Sequence, residues 1–117
     1  MSVYFEVSGV LVWNPSNAVG LLYADQLAAA SHFAGLDSGL SDLTADRIVL
    51  DPAKFGALIN ELVRTYNETT HAVLRHQIQA VLAPSLVMLS RSGIAYETPA
   101  DDALRSDVAR LDAAMPV

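Results

Sequence analysis

At 117 residues the chain has the length of one ordinary domain, and residues 1–117 are expected to fold as a single α-rich unit. The absence of Cys rules out disulfides, thiolate nucleophiles and thiolate metal sites, and 52% hydrophobic against 17% charged residues, with a mean hydropathy of +0.32, excludes intrinsic disorder. Seven Lys and Arg against thirteen Asp and Glu give a net charge of −6, so nucleic acid and anionic membrane surfaces are not expected partners.

The first elements are two β-favouring runs, Val3–Val7 and Val10–Trp13, joined by Ser8-Gly9; Gly9 supplies the positive φ of a tight turn, which predicts a β-hairpin. Three helix starts share a polar cap followed by Pro at the first helical position: Asn14-Pro15, Asp51-Pro52 and Thr98-Pro99. Thr98-Pro99-Ala100-Asp101 also has the spacing of a capping box. The first helix is therefore expected from Pro15 to Ala34, ending at Gly35, with Val19, Leu22, Tyr23, Leu27, Ala30 and Phe33 as its buried stripe. Residues 36–46 read as a loop, and Arg47–Leu50 as a third strand beside the hairpin. The second helix starts at Pro52 and buries Phe55, Leu58, Ile59, Leu62 and Tyr66. One helix over residues 52–92 would be roughly 60 Å long, too long for a domain with a radius of gyration of about 13 Å. A break is thus placed at Asn67–Thr70. The third helix, His71–Ser92, is apolar on most faces beyond Ile78, is kinked at Pro84, and forms the central element. Ile94–Glu97 is a candidate return strand, and a fourth helix is expected over Pro99–Ala113 with Leu104, Val108 and Leu111 turned inward. The fold class is α+β: three to four helices, an N-terminal β-hairpin and a small antiparallel sheet.

Tyr4-Phe5-Glu6-Val7 followed by Trp13-Asn14-Pro15-Ser16-Asn17 resembles a family of short, uncharacterised actinobacterial proteins that open with a Tyr-Phe strand and a Trp-Asn-Pro-Ser segment. The Asp51-Pro52 entry into a helix bearing Ala53 and Phe55 is also similar. The resemblance implies an actinobacterial origin and carries no activity and no functional residue. Six Arg to one Lys fits a GC-rich genome.

Residues that might carry chemistry are few. His71 and His76 are the polar candidates for acid–base work, with Glu68 three residues before His71 to orient its ring. Five helical positions separate the two rings by about 140° on the wheel, so they cannot chelate one metal as an i, i+4 pair would. No metal and no cofactor is expected. His32 reads as a cation at a helix C-terminus. Asp37, Asp42 and Asp46 lack the register of a calcium loop, and the scattered Gly residues form no phosphate-binding motif. Five of the eight aromatic residues lie in the first 46 positions, and Trp13 and Tyr23, with Tyr66 from the second helix, are the candidates to line an apolar pocket between hairpin and helices.

Three functions fit. The first is a small interaction module, expected to be homodimeric because the low charge and the apolar third helix leave faces hard to cover from within. The second is a cofactor-free enzyme or binding protein for an apolar metabolite, working through pocket shape. The third is an acidic immunity-type protein that meets a basic partner with its first half, where residues 1–46 hold five acids and no base. A signal-peptide pattern is missing and no apolar run approaches the ~18–20 residues of a membrane span, so a cytoplasmic location is expected.

Overall fold

A computed structural model describes residues 1–117. The elements in chain order are β1 (Tyr4–Val7), β2 (Val10–Trp13), α1 (Asn17–Ala34), β3 (Arg47–Leu50), α2 (Pro52–Glu68), α3 (Ala72–Ser92) and α4 (Asp102–Ala114). The class is α+β, as the patterning predicts.

β1 and β2 form the expected antiparallel hairpin, turning through Ser8 and Gly9, both at positive φ, the signature of a turn whose twist matches its strands. The sheet order is β2-β1-β3, and β3 runs parallel to β1. The sheet is therefore mixed, not antiparallel. The reason is the connection: β2 ends with Trp13 opposite Phe5, near the start of β1, and α1 with the following loop returns the chain to that same end before Arg47 pairs beside Tyr4. The loop also closes the outer edge of β3. Ser41 N–H donates to Val49 O at 2.9 Å, and Asp51 N–H donates to Gly39 O at 2.8 Å. Gly39 sits at φ +76° against α2, where a Cβ would come within 2.9 Å of Phe55 N.

Of the three expected helix starts, only Asp51-Pro52 holds, with the Asp51 carboxylate accepting Lys54 N–H at 3.0 Å. α1 begins at Asn17 behind Ser16 because tertiary pairing keeps the preceding residues extended: Asn14 N–H donates to Pro116 O, and Val3 N–H to Pro15 O. α4 begins at Asp102 behind Asp101, since Asn67 at the end of α2 grips the Thr98 carbonyl and the Ala100 N–H. The break between α2 and α3 spans residues 69–71, overlapping the expected Asn67–Thr70, with α2 running on through Glu68 and His71 capping α3. Residues 94–97 are irregular and not a strand; Glu97 N–H is taken instead by Asn60 Oδ1 on α2.

α3 is the central element, buried from Ile78 to Leu89 on most of its circumference and continuous through Pro84. By length and composition it is apolar enough to cross a membrane, against the expectation that no stretch would be; half of that stretch is buried within the fold. Its last turn anchors the chain's end. The Arg91 guanidinium donates to the carbonyls of Val12, Asp112 and Met115, each at 2.9 Å, and pairs with the Asp112 carboxylate. Arg91→Ala is expected to cost about 1.5–3 kcal/mol, the range for hydrogen bonds to a charged group. Hydrogen exchange should show it as loss of protection confined to residues 110–117 and β2.

α1 departs most from expectation. It buries Gly20, Tyr23 and Leu27, whereas Val19, Leu22 and Phe33 of the expected stripe stand in solvent at 51%, 59% and 55% exposure. The helix carries two apolar faces, and packing chooses between them. Gly20 decides, because without a side chain it lets α1 close on Val3, Pro15 and Phe5, where even a Cβ would sit 3.1–3.4 Å from its neighbours.

Candidate functional site

The apolar face left open on α1 borders a groove between α1 and α3. At one end lies a hollow of about 440 Å³ over Trp13, Tyr23, Pro84 and Met115, rimmed by Val19 and Leu22. At the other lies one of about 540 Å³ lined by Ala29, Phe33, Leu74 and Ile78. Gln26 and Ala80 belong to both, so the two hollows form one continuous groove. No Asp, Glu, Lys or Arg lines either hollow.

The floor at the first end is rigid. Phe5 stacks on Trp13 with ring centres 5.2 Å apart, and Tyr23 meets both edge-on at 5.6 and 5.4 Å. Ser85 spends its single hydrogen on Val81 O at 2.7 Å, so the Tyr23 hydroxyl is the donor in its 2.6 Å bond to Ser85 Oγ. Burial drives the Tyr23 pKa far above its ordinary value, against the opposing pull of the Ser85 bond. Tyr23 thus remains a neutral phenol with its polar tip already used, and the groove receives from it only the apolar ring.

Trp13 and Tyr23 are brought together as the sequence predicts. Tyr66 is not with them. It is buried between α2, α3 and α4, where its hydroxyl donates to Asp101 at 2.8 Å and the Arg75 guanidinium lies 4.2 Å over its ring. Arg75 also pairs with Asp101, and Asp101 caps α4 by accepting Leu104 N–H. Burial and then the bond and charge of Asp101 push the Tyr66 pKa up. Burial pushes the Asp101 carboxyl up too, but the Leu104 N–H, the Tyr66 hydroxyl and Arg75 outweigh it and hold it below the usual range. This cluster joins three helices and opens onto neither hollow.

His71, His76 and Glu68 are all exposed. His71 is the N-cap of α3, its Nδ1 accepting Leu74 N–H at 3.3 Å. The ring is oriented by that cap, and Glu68, on the last residue of α2, makes no bond to it. No group of three or more His, Asp or Glu side chains converges at one point. Sequence reading passed over Gln26, Leu74 and Ala80, the groove residues between the two helices. The available signal was the alternation of three and four in Val19, Leu22, Gln26, Ala29 and Phe33, a seam distinct from the buried one.

A family model described as a family of unknown function (DUF6086) matches residues 1–117. No curated protein and no solved structure matches the chain.

Proposed function

Since the chain belongs to this family of unknown function over its whole length, and no activity comes with that membership, we propose from the groove itself that the protein is a small interaction module that pairs with a second copy of itself through the α1–α3 face. The observation that carries the reading is the open α1 seam, three large apolar side chains more than half exposed along an uncharged groove. Contiguous apolar surface of this kind is uncommon on monomers and marks association. Taking one such half-exposed side chain from water stabilises by on the order of 1 kcal/mol. Both copies contribute three, together with the groove walls they meet, which offsets the lower part of the ~4–15 kcal/mol cost of association.

The acidic residues do not support an immunity-type role at this face, since none lines it. A small-molecule role has the Trp13 hollow in its favour, but the nearest buried hydroxyl, that of Tyr23, is turned away to Ser85.

Light scattering at tens of micromolar tests the proposal. Wild type is expected at twice the 12.5 kDa chain mass. The double variant Leu22→Glu, Phe33→Glu is expected at the single-chain mass with an unchanged far-ultraviolet circular dichroism spectrum, because both positions are exposed. A wild type that stays at 12.5 kDa would refute the reading.

A further inference from the structure

A cavity of about 340 Å³ lies between the C-terminal part of α3 and α4, on residues that belong to neither hollow of the α1–α3 groove. Its floor is apolar, formed by Leu86 and Val87 of α3 and Val108 and Ala109 of α4. Its wall is the irregular segment joining the two helices, which contributes Tyr96, Thr98 and Pro99. α2 holds that wall in place. Asn60 Oδ1 accepts Glu97 N–H at 2.8 Å, and Asn67 bonds to the Thr98 carbonyl and the Ala100 N–H. Glu97 reaches Arg64 on α2, while its neighbours Tyr96 and Thr98 line the cavity.

We infer that this cavity binds a neutral polyhydroxyl ring of monosaccharide size, independently of any association through the α1–α3 face. The hydrogen-bonding capacity left over around it carries the inference. The Ser90, Tyr96 and Thr98 side-chain hydroxyls make no hydrogen bond within the protein, Thr98 being held through its carbonyl alone. Each of them can both donate and accept. At one end, Arg105 spends two of its five N–H groups, on the Pro99 carbonyl at 2.7 Å and on Asp102. At the other end, Arg91 holds Asp112 through Oδ1, and Oδ2 has no partner. Seven helical residues separate the two ends by about 10 Å along α4. A donor-only end, an acceptor-only end and hydroxyls between them match a ring whose own hydroxyls donate and accept at once. The C–H faces of such a ring suit the apolar floor.

Charge and size argue against other ligand classes. Arg105 is already paired with Asp102, and Asp112 with Arg91, so neither end draws a free ion strongly. An anion would also meet Asp112 and the field of a chain that carries −6, and a cation would meet Arg105. A free α-amino acid carries both charges on one carbon, too close together to serve both ends. A wholly apolar ligand would cover the three hydroxyls and leave them without water or partner, which is costly. The volume falls at the lower end of the roughly 300–1,000 Å³ of small-molecule sites, so one ring fits and a dinucleotide does not.

Amide chemical shifts of the isotope-labelled protein read the site directly. Glucose, galactose, mannose and myo-inositol are each titrated to tens of millimolar, with glucuronate, glucosamine and cyclohexanol as charged and apolar ring controls. At least one of the four neutral polyols is expected to shift the amides of Ser90, Tyr96, Thr98, Ala109 and Asp112 while those of α1 stay in place, and to do so more strongly than any control. Ala109 is exposed and borders the floor, so Ala109→Phe is expected to fill the cavity and abolish these shifts with an unchanged circular dichroism spectrum. If none of the four polyols shifts these amides, the inference is wrong. If cyclohexanol or a charged sugar shifts them at least as strongly, the cavity does not select a neutral polyol and the inference falls. Shifts that persist in full in Ala109→Phe would place the binding elsewhere and overturn it equally.

Discussion

Trp13→Ala is expected to destabilise the protein by about 3–5 kcal/mol, the range for deleting a buried aromatic ring. Trp13 is 5% exposed and ends β2 at the point where the chain turns toward α1. Its ring stacks on Phe5 of β1 and meets Tyr23 of α1 edge-on, so one side chain ties both strands of the hairpin to the first helix. Each aromatic pair adds roughly 0.5–1.5 kcal/mol beyond burial, and the neighbours cannot collapse into the gap. Phe5 is fixed in the sheet, and Tyr23 is held by Ser85. Against a total stability of ~5–15 kcal/mol, a loss of this size brings a marginal domain close to unfolding. Urea denaturation measures it. Fluorescence of this single Trp gives an independent check: a short-wavelength emission protected from iodide is expected, and a red-shifted, readily quenched emission would place the ring in solvent. A variant that kept wild-type stability would show that the ring is not what ties the hairpin to α1.

The sequence was most legible where structure is decided locally. Asp51-Pro52 begins α2 as read because the cap and the Lys54 N–H it accepts lie three residues apart. The polar run Asn67–Thr70 breaks the long helical segment for a similarly local reason, aided by the limit that compactness sets: the molecule's longest extent is 41 Å, shorter than the unbroken helix would be. Asn14-Pro15 and Thr98-Pro99 carry the same grammar and do not start helices. In each case a partner distant in sequence claims the segment, Pro116 for Asn14 and Asn67 for Thr98 through Ala100. Local preferences of about 1 kcal/mol yield to such long-range pairing.

α1 shows the same limit at the level of function. Its sequence holds one apolar stripe through Gly20, Tyr23 and Leu27 and another through Val19, Leu22 and Phe33, and periodicity alone does not rank them. The close approach allowed by Gly20 ranks them, and that contact involves Val3, Pro15 and Phe5, which no helical wheel displays. Trp13 and Tyr23 were found because aromatic residues concentrate near the N-terminus, yet their partner Ser85 is 62 positions from Tyr23. His71 carried a chemical reading from its residue type, whereas its position one residue before a helix makes it a cap. The imidazole nitrogen fills a role more often taken by Ser, Thr, Asp or Asn, which is why spacing rules for caps pass over it.

Asp101→Ala is expected to cost about 2–4 kcal/mol at neutral pH, and the cost is expected to shrink in acid. Three groups depend on this carboxylate: the Leu104 N–H at the start of α4, the Tyr66 hydroxyl and the Arg75 guanidinium. Losing a helix cap costs typically ~1 kcal/mol, and leaving the hydroxyl of the buried Tyr66 without its acceptor costs about 1–3 kcal/mol more. Gln79, 3.4 Å from that hydroxyl, is too distant to replace Asp101 fully. The pH dependence follows from the direction of the carboxyl's shift. Its pKa in the folded protein lies below the ordinary value near 3.9, so its contribution is fully present above pH ~4 and is lost as pH falls through the lower folded value. Tyr66 works at the other end of the scale. Its raised pKa keeps its contribution intact below the ordinary tyrosine value near 10, and the contribution declines as pH rises beyond it. Urea midpoints of wild type and variant, compared between neutral pH and pH ~2.5, should therefore converge as the acid end is approached. Asp101→Asn, which keeps an acceptor for the cap but not the charge facing Arg75, is expected to fall between the two at neutral pH and to show little of the convergence. A wild-type advantage over Asp101→Ala that stayed constant down to pH ~2 would show that the ionised carboxylate is not what holds α4 to α2 and α3.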